Sequence, residues 1–588
     1  MVSWTRVSRR SQPGNAIFLP FLLFCSLFRL SVAFENCPLL GPVFPPPSNI
    51  SFGLQAAFSN LTEVLDQAIA SGNSTHGLVN NKTSYSVQFF SVNEKNPLFE
   101  YYYTTPSSYG VQKVDGDSVY RIGSISKLLT VYTLLVEIGD KYWDRAVTDF
   151  IPELRALVPK SRSDPIAFNA WDEITLGSLA GQVAGVTRDL TTSGGLYKEL
   201  SAQNPTQYGL PLLDSSELPP CLLNTTTMCN RTGFFEAVST RQPTYAPNTT
   251  PIYSNTAFQI LAYALESIVG QPFEELLERS LLGPLNLTGT SYTTPNADRG
   301  AIPTDPSASS WNYQMGESTP MGGIYSTAND LSTLGRSILS YALLSPNTTR
   351  GWMKPTTHTA SLTGSVGRPW EIYRLALPQP DNRVTDIYTK SGSLGVYTSF
   401  LAMLPDYGIG FVTLAAGQGS YTAINGLIAD IVLPELEAVA RNEAESVYAA
   451  TYTATNGLNS SITLTTDPSK PGLGVSSWIS NGTDFLAVIA ALQLVSKDES
   501  SIRIYPTDLE STSNSNASGR KIAFRGVVEV TSSFQDHGVF SSCGSWFDVD
   551  GNTWGNYPMD ELIFSLSDDG TKAITVTLKF LKVNLERI

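Results

Sequence analysis

Ser124 and Lys127 stand three residues apart in Ser124-Ile125-Ser126-Lys127, at the start of an apolar run that continues to Ile138 and stops at Gly139. Residues at i and i+3 share a helix face, so the Ser124 hydroxyl and the Lys127 amine can meet. Burial in an apolar core disfavours a charged lysine and lowers its pKa, and an amine so placed can take a proton from a serine. Alone, a Ser-x-x-Lys is weak: about two arise by chance in a chain this long, and a serine opening a helix is ordinarily an N-cap. Two further triplets lie downstream. Tyr253-Ser254-Asn255 precedes an amphipathic stretch from Ala257 to Ile268, and Lys390-Ser391-Gly392 closes a β-like run, followed by Ser393 and Gly395. Each taken singly is turn chemistry at an element boundary. Histidine offers little alternative, since His76, His358 and His537 are isolated and a His-built triad or zinc site would need distant residues to converge. No Gly-x-Ser-x-Gly is present, which counts against an α/β-hydrolase nucleophile.

Those residues need elements to carry them. After a proline-rich lead, Leu54, Ala57, Phe58, Leu61, Leu65 and Ile69 recur at helical spacing, and Tyr85–Val92 and Phe99–Thr104 read as a β-hairpin. The run from Ser124 to Ile138 is apolar nearly all round, the pattern of a core helix. Residues 195–252, rich in Pro, Thr, Ser and Asn, read as an ordered surface excursion. Four β-like segments, Glu371–Leu377, Val384–Thr389, Val396–Leu404 and Ile409–Ala415, predict an antiparallel meander. A closing helix begins near Ile424 and runs past Pro434 toward Ala449. From residue 450 the composition turns to Ser, Thr, Asn and Gly, with strand-like runs at Ile462–Thr465, Ile502–Tyr505, Ile522–Val530, Leu562–Ser565 and Ile574–Val583. The expected organisation is a leader over 1–33, a catalytic domain over 34–449 and a β-rich domain over 450–588.

At 588 residues, with 42% hydrophobic and 15% charged residues, the chain is a globular protein of more than one domain. A net charge of -14 without any basic run excludes a nucleic-acid footprint. Arg6, Arg9 and Arg10, then an apolar stretch from Ala16 to Phe28, then Ser31-Val32-Ala33, have the layout of a secretory signal peptide cleaved after Ala33. The stretch is short for a bilayer span of about 20 residues, so the mature chain is expected to be extracellular and free of the membrane. Cleavage takes the net charge to -18. Cys25 leaves with the leader, and an even set remains in an oxidising route: Cys221 and Cys229 close a short loop, leaving Cys37 for Cys543. Twelve glycosylation sequons, at Asn49, Asn60, Asn73, Asn81, Asn224, Asn230, Asn248, Asn286, Asn347, Asn459, Asn481 and Asn516, are dense enough to point to a eukaryotic secretory route.

Read in order and in context, a Ser-x-x-Lys opening a buried helix, a Tyr-x-Asn ahead of a helix and a Lys-Ser-Gly ending a strand resemble the active-site set of the serine β-lactamase and penicillin-binding protein superfamily. The Tyr-x-Asn version is similar to class C β-lactamases, D-aminopeptidases and related esterases, the group called peptidase family S12. Arg121-Ile122-Gly123, Pro284-Leu285-Asn286-Leu287-Thr288 and Gly322-Gly323-Ile324-Tyr325-Ser326-Thr327 with Asp330 also look like family segments, and the resemblance covers roughly residues 50–445. Gly181-Gln182-Val183-Ala184-Gly185 departs from a His-Thr-Ser-Gly-like turn and puts that edge of the pocket in doubt. The segment beyond 450 resembles the extra domain of secreted fungal β-lactamase-like proteins.

The resemblance implies an α+β, β-lactamase/transpeptidase-like fold: an antiparallel sheet flanked by helices, an all-helical subregion and a C-terminal β-rich domain. It implies that Ser124 forms an acyl-enzyme, that Lys127 and Tyr253 share the proton work beside Lys390, and that the N–H groups of Ser124 and Ser393 form the oxyanion hole. Asn255, Ser391 and Gly392 would bind substrate, Asn255 at the amide or ester flank, and Lys390 with Ser391 would hold a carboxylate if the substrate has one. No cofactor or metal is implied, and the expected partner is a small-molecule or peptide-like acyl substrate met by a monomer. The leading expectation is a hydrolase of an amide or ester; an acyltransferase with the same acyl-enzyme and a decayed, glycosylated binding protein are the alternatives.

Overall fold

The computed structural model describes residues 37–190, 204–214, 217, 228–376, 383–511, 519–530 and 544–588. The leader expected over 1–33, Cys221, Cys543, Asn224 and Asn516 therefore lie outside the described residues, as does His537. The described residues divide into two compact units: residues 44–444, and residues 445–588 together with residues 37–43.

The larger unit is built on one eight-stranded sheet. Its strands are β1 (Ser84–Ser91), β2 (Phe99–Tyr103), β3 (Thr357–His358), β4 (Gly364–Val366), β5 (Glu371–Ala376), β6 (Val384–Leu394), β7 (Tyr397–Leu404) and β8 (Ile409–Ala416), in the order β2-β1-β8-β7-β6-β5-β4-β3. Every neighbouring pair is antiparallel, and the four expected meander segments are β5 to β8. All eight residues of β1 and of β8 are buried, so the middle of the sheet is covered on both faces. Side chains alternate across a strand. Phe89 accordingly meets Phe58 of α1 (Ile50–Ser71) on one face, with ring centroids 5.2 Å apart, while Phe90 lies against Gly335 on the other. The apolar stripe of α1, Ile50, Leu54, Phe58, Leu61, Leu65 and Ile69, is buried, and the helix ends at Gly72 with φ 78°.

A mainly helical region packs into the same hydrophobic core as one face of this sheet. Its centre is α2 (Ser126–Ile138), followed by α3 (Leu176–Ala180), α4 (Thr256–Val269) and α5 (Thr319–Gly322), with α6 (Ala328–Leu339) lying against the sheet. Ten consecutive residues of α2, Ser126 to Leu135, are buried, as its all-round apolar sequence predicts. Its start differs from expectation. Gly123–Ile125 forms a 3-10 turn, so Ser124 precedes the α-helix and caps nothing. The closing helix is also two: α7 (Tyr421–Ile431) and α8 (Leu433–Tyr448). Pro434, lacking an N–H and crowding the carbonyl four residues back, breaks the run at Val432.

The smaller unit is a closed barrel. Strands β9 (Ala450–Thr453), β10 (Ser461–Asp467), β11 (Lys470–Ser480), β12 (Ser500–Ser511), β13 (Lys521–Val530), β14 (Glu561–Leu566), β15 (Ala573–Leu578) and β16 (Val583–Arg587) run in the order β10-β9-β16-β15-β14-β13-β12-β11, and β11 pairs back onto β10. Closure removes the exposed strand edges. The single run expected over Ile574–Val583 is two strands, because a 3-10 turn at Lys579–Leu581 and a left-handed Lys582 reverse the chain between them. Sequence reading misses β11, whose Pro471, Gly472 and Gly474 mask it, and the helix Phe485–Leu492.

Candidate active site

Two glycines bring the 3-10 turn against the free end of β6. A Cβ on Gly392 would lie 2.0 Å from the carbonyl oxygen of Ile122 and 2.8 Å from the nitrogen of Ser124; a Cβ on Gly123, whose φ is 50°, would lie 2.5 Å from the nitrogen of Ser393. No other residue type permits this approach. Ser399 of β7 fastens it, donating from Oγ to the Ile122 carbonyl at 2.7 Å. Strand β5 pairs with β6 only as far as Thr389, opposite Glu371. Beyond that point the N–H groups of β6 on that side have no neighbouring strand among the described residues. Ser391 N–H points there, to Glu371 Oε2 at 2.9 Å, and Ser393 N–H, two residues on, points the same way.

Ser124 Oγ is met from two sides. Lys127 Nζ donates to it at 2.9 Å and Tyr253 OH donates to it at 2.6 Å. The Lys127 side chain is fully buried, and its two other N–H groups go to Asn255 Oδ1 at 2.6 Å and to the carbonyl of Met321 in α5. An ammonium has three donors, and all three are used. Burial pulls the Lys127 pKa below the ordinary lysine value, and the nearby Lys390 ammonium adds to this. For Tyr253, burial pushes the phenol up, but the cations Lys390 and Lys127 outweigh it and the net direction is down. Its ring lies 5.0 Å from Lys127 Nζ, 5.2 Å from the Arg188 guanidinium and 5.5 Å from Lys390 Nζ.

Asn255 occupies the N-cap position of α4 yet makes no side-chain cap bond. Ser254 does that work instead, its Oγ accepting from Ala257 N–H at 3.0 Å and donating to the Thr187 carbonyl at 2.7 Å. Asn255 is thereby left to bridge Lys127 and, through Nδ2 at 2.7 Å, Asp189 Oδ1. Lys390 is buried and forms an ion pair with Glu371. Burial lowers the Lys390 pKa, but the Glu371 carboxylate overrides this and holds it above the ordinary value. Ser124, Lys127, Tyr253, Asn255, Lys390, Ser391, Gly392 and Ser393 thus converge, drawn from one turn, two helix starts and one strand end. Among the described residues no group of three or more His, Cys, Asp or Glu side chains is arranged to hold a metal ion, and no helix is long and apolar enough to cross a membrane.

Residues 82–432 match the family model described as Beta-lactamase, and residues 440–588 match Beta-lactamase-like-like, C-terminal domain. The chain belongs to the beta-lactamase family. A "Beta-lactamase-like protein" of Arthroderma benhamiae is 30% identical over 96% of this chain and 98% of its own length. A "Probable hydrolase M10" of a Phoma species is 27% identical over 93% of this chain and 90% of its own. The D-alanyl-D-alanine-carboxypeptidase/endopeptidase AmpH of Escherichia coli is 26% identical over 50% of this chain and 70% of its own. Among solved structures, a D-alanine carboxypeptidase AmpC from Burkholderia cenocepacia is similar at TM-score 0.43 and 19% identity, over 64% of this chain and 99% of its own. The fold is β-lactamase/transpeptidase-like with a C-terminal β-barrel domain, and the family is one of hydrolases.

Within this beta-lactamase-family site, the turn at Gly181–Gly185 departs from the expected pattern and works by other means. Gln182 is buried with φ 59°; its Oε1 accepts from Ser254 N–H at 2.7 Å and its carbonyl from Ile252 N–H at 2.8 Å. It holds the Tyr253 loop in place. Sequence reasoning misses Gln182, Asp189, Glu371 and the Met321 carbonyl. The first two lie in or just after the turn that already stands out as unusual; Glu371 could be found only from the β5–β6 register.

Proposed function

We propose that the chain is a secreted serine hydrolase of the S12 type that cleaves an amide or ester through a Ser124 acyl-enzyme. The observation that carries this reading is the Ser124 oxygen held at once 2.9 Å from Lys127 Nζ and 2.6 Å from Tyr253 OH. In the reaction, Tyr253 acts as the phenolate that Lys390 and Lys127 favour, and Ser124 Oγ attacks the acyl carbon while its proton passes to that phenolate oxygen. Lys127, with all three N–H groups donated, has no lone pair to take it and instead supplies positive charge. The N–H groups of Ser124 and Ser393 stabilise the carbonyl oxygen as it gains charge, at about 3 kcal/mol for each such donor. Tyr253 returns the proton to the departing amine or alcohol as the C–N or C–O bond breaks. Water then repeats the sequence and releases the acid. Asn255, fixed by Lys127 and Asp189, is placed to bind the acyl flank.

Labelling with a fluorescent penicillin and a fluorophosphonate, followed by mapping of the modified peptide, tests this. The expected adduct is on Ser124. An adduct on Ser126 or Ser391, or none with either probe, overturns the assignment.

Export and the cysteine pairing belong to the same proposal. The ten described sequon asparagines, Asn49, Asn60, Asn73, Asn81, Asn230, Asn248, Asn286, Asn347, Asn459 and Asn481, are all exposed, as glycan attachment requires. Cys37 Sγ lies 3.4 Å from Ser545 Oγ, two residues after Cys543, which supports Cys37–Cys543.

A further inference from the structure

In the site, Lys390 and Ser391 present the cationic and N–H donors that a substrate carboxylate would seek, but an internal group already holds both. Glu371, the first residue of β5, pairs its Oε1 with Lys390 Nζ and accepts from Ser391 N–H through Oε2 at 2.9 Å. Lys390 also donates to the Ser391 carbonyl at 2.9 Å. The placement follows from register. Thr389 faces Glu371 across the strands, so the carboxylate sits where β6 outruns its neighbour and closes the first unpaired N–H of that edge. The Glu371 side chain is 28% exposed, against 1% for Lys390, so solvent meets Glu371 and not the Lys390 cation at this end of the site. The other cation beside Tyr253, Arg188, has Asp189 at 3.5 Å. Tyr253, Tyr373 and Tyr421 are the other titratable groups that face this pair, and Lys127, the cation near Lys390, is committed to Ser124 Oγ, Asn255 Oδ1 and the Met321 carbonyl.

We propose that Glu371 fills, from within the chain, the place a substrate carboxylate would take, so that the enzyme selects acyl donors uncharged at that end: neutral esters or amides over anionic ones. This rests on the hydrolase reading above and reverses the expectation that Lys390 and Ser391 anchor a carboxylate. An anionic substrate must either displace Glu371 from Lys390 or sit beside a like charge, and both raise its KM.

The test uses the full-length protein and two esters that differ only in the leaving group's charge, 3-acetoxybenzoate and its methyl ester. The wild type should favour the methyl ester in kcat/KM by at least about tenfold. Glu371→Gln and Glu371→Ala, each checked by thermal melting, should narrow that preference by at least about tenfold, mainly through a lower KM for the anionic ester. A wild type that cleaves the anionic ester as well as or better than the neutral one overturns the inference whatever the variants do. So does a folded variant whose preference stays within about twofold of the wild type. If neither ester is cleaved and no probe labels Ser124, the hydrolase reading itself fails and takes this inference with it.

Discussion

Ser124 and Ser126 sit two residues apart, yet their surroundings separate them completely. Ser126 Oγ donates to the Gly123 carbonyl at 2.7 Å and accepts from Ile324 N–H at 3.1 Å, so it is a buried fastener. Ser124 Oγ accepts from the Lys127 ammonium and from the Tyr253 hydroxyl. Ser124→Ala should therefore abolish labelling and turnover while leaving the melting temperature nearly unchanged, as read by gel fluorescence and calorimetry. Tyr253→Phe should lower kcat by at least about a hundredfold, the scale of losing an acid-base group, and Lys127→Ala, which removes the ammonium donating to Ser124 Oγ, should lower it by at least about as much. The pH profile gives a finer check. With Tyr253 as base, activity rises with pH as the phenol ionises, and burial raises its pKa while Lys390 and Lys127 together pull it down. Lys390→Ala removes one of those cations, so the ascending limb of kcat/KM against pH should move to higher pH. Glu371→Gln leaves the cation uncompensated, and the limb should move to lower pH.

At the scale of elements, function depends on how closely the turn before α2 approaches the end of β6. Gly392→Ala inserts a methyl group 2.0 Å from the Ile122 carbonyl, which cannot retreat because Ser399 holds it. The expected result is a loss of about 1–3 kcal/mol of stability, with turnover falling at least tenfold as Ser393 N–H moves away. Gly351, in the helix Pro346–Trp352, is the matched control, since a Cβ added there would meet no atom within 4 Å. Gly351→Ala should be neutral or stabilise by up to about 1 kcal/mol. Urea unfolding of both variants decides. A different element constraint lies at the start of β6, where buried Arg383 meets Asp406 and, at 3.1 Å, Glu437. Arg383→Ala takes the cation from two carboxylates in a poorly solvated place, and should cost about 3–5 kcal/mol.

For the whole molecule, the grouping of residues 37–43 with the barrel changes what a Cys37–Cys543 bond would do. From sequence, such a bond is expected to tie the C-terminal domain to the catalytic domain. Within one unit, it joins the N-terminal segment to the connection between β13 and β14 of the barrel. Removing it should lower barrel stability by about 2–5 kcal/mol and leave the acylation rate of Ser124 unchanged. Non-reducing peptide mapping checks the pairing: Cys37 joined to Cys221 or Cys229 would overturn it. Differential scanning calorimetry of Cys37→Ser then reads the stability.

The sequence by itself determined the family, the nucleophile candidate and the main sheet strands, because each is written locally. Ser124 and Lys127 are one turn apart, Gly392 follows Lys390 at two residues, and alternation along Tyr85–Val92 and Val396–Leu404 marks each as a strand from its own residues. The barrel's closure, β11 and the reversal at Lys582 were not legible, since glycine and proline interrupt the alternation and closure depends on β11 pairing back onto β10. The charge state of the site was decided only by tertiary structure. Glu371 stands 19 residues before Lys390, and nothing in composition or spacing says that β5 and β6 pair so as to bring them together. Gln182 and Asp189 reach Ser254 and Asn255 across more than 60 residues of chain. Hydrogen bonds and ion pairs act over a few ångströms of space, so the partners of a catalytic residue follow strand register and loop packing, which a linear pattern does not encode.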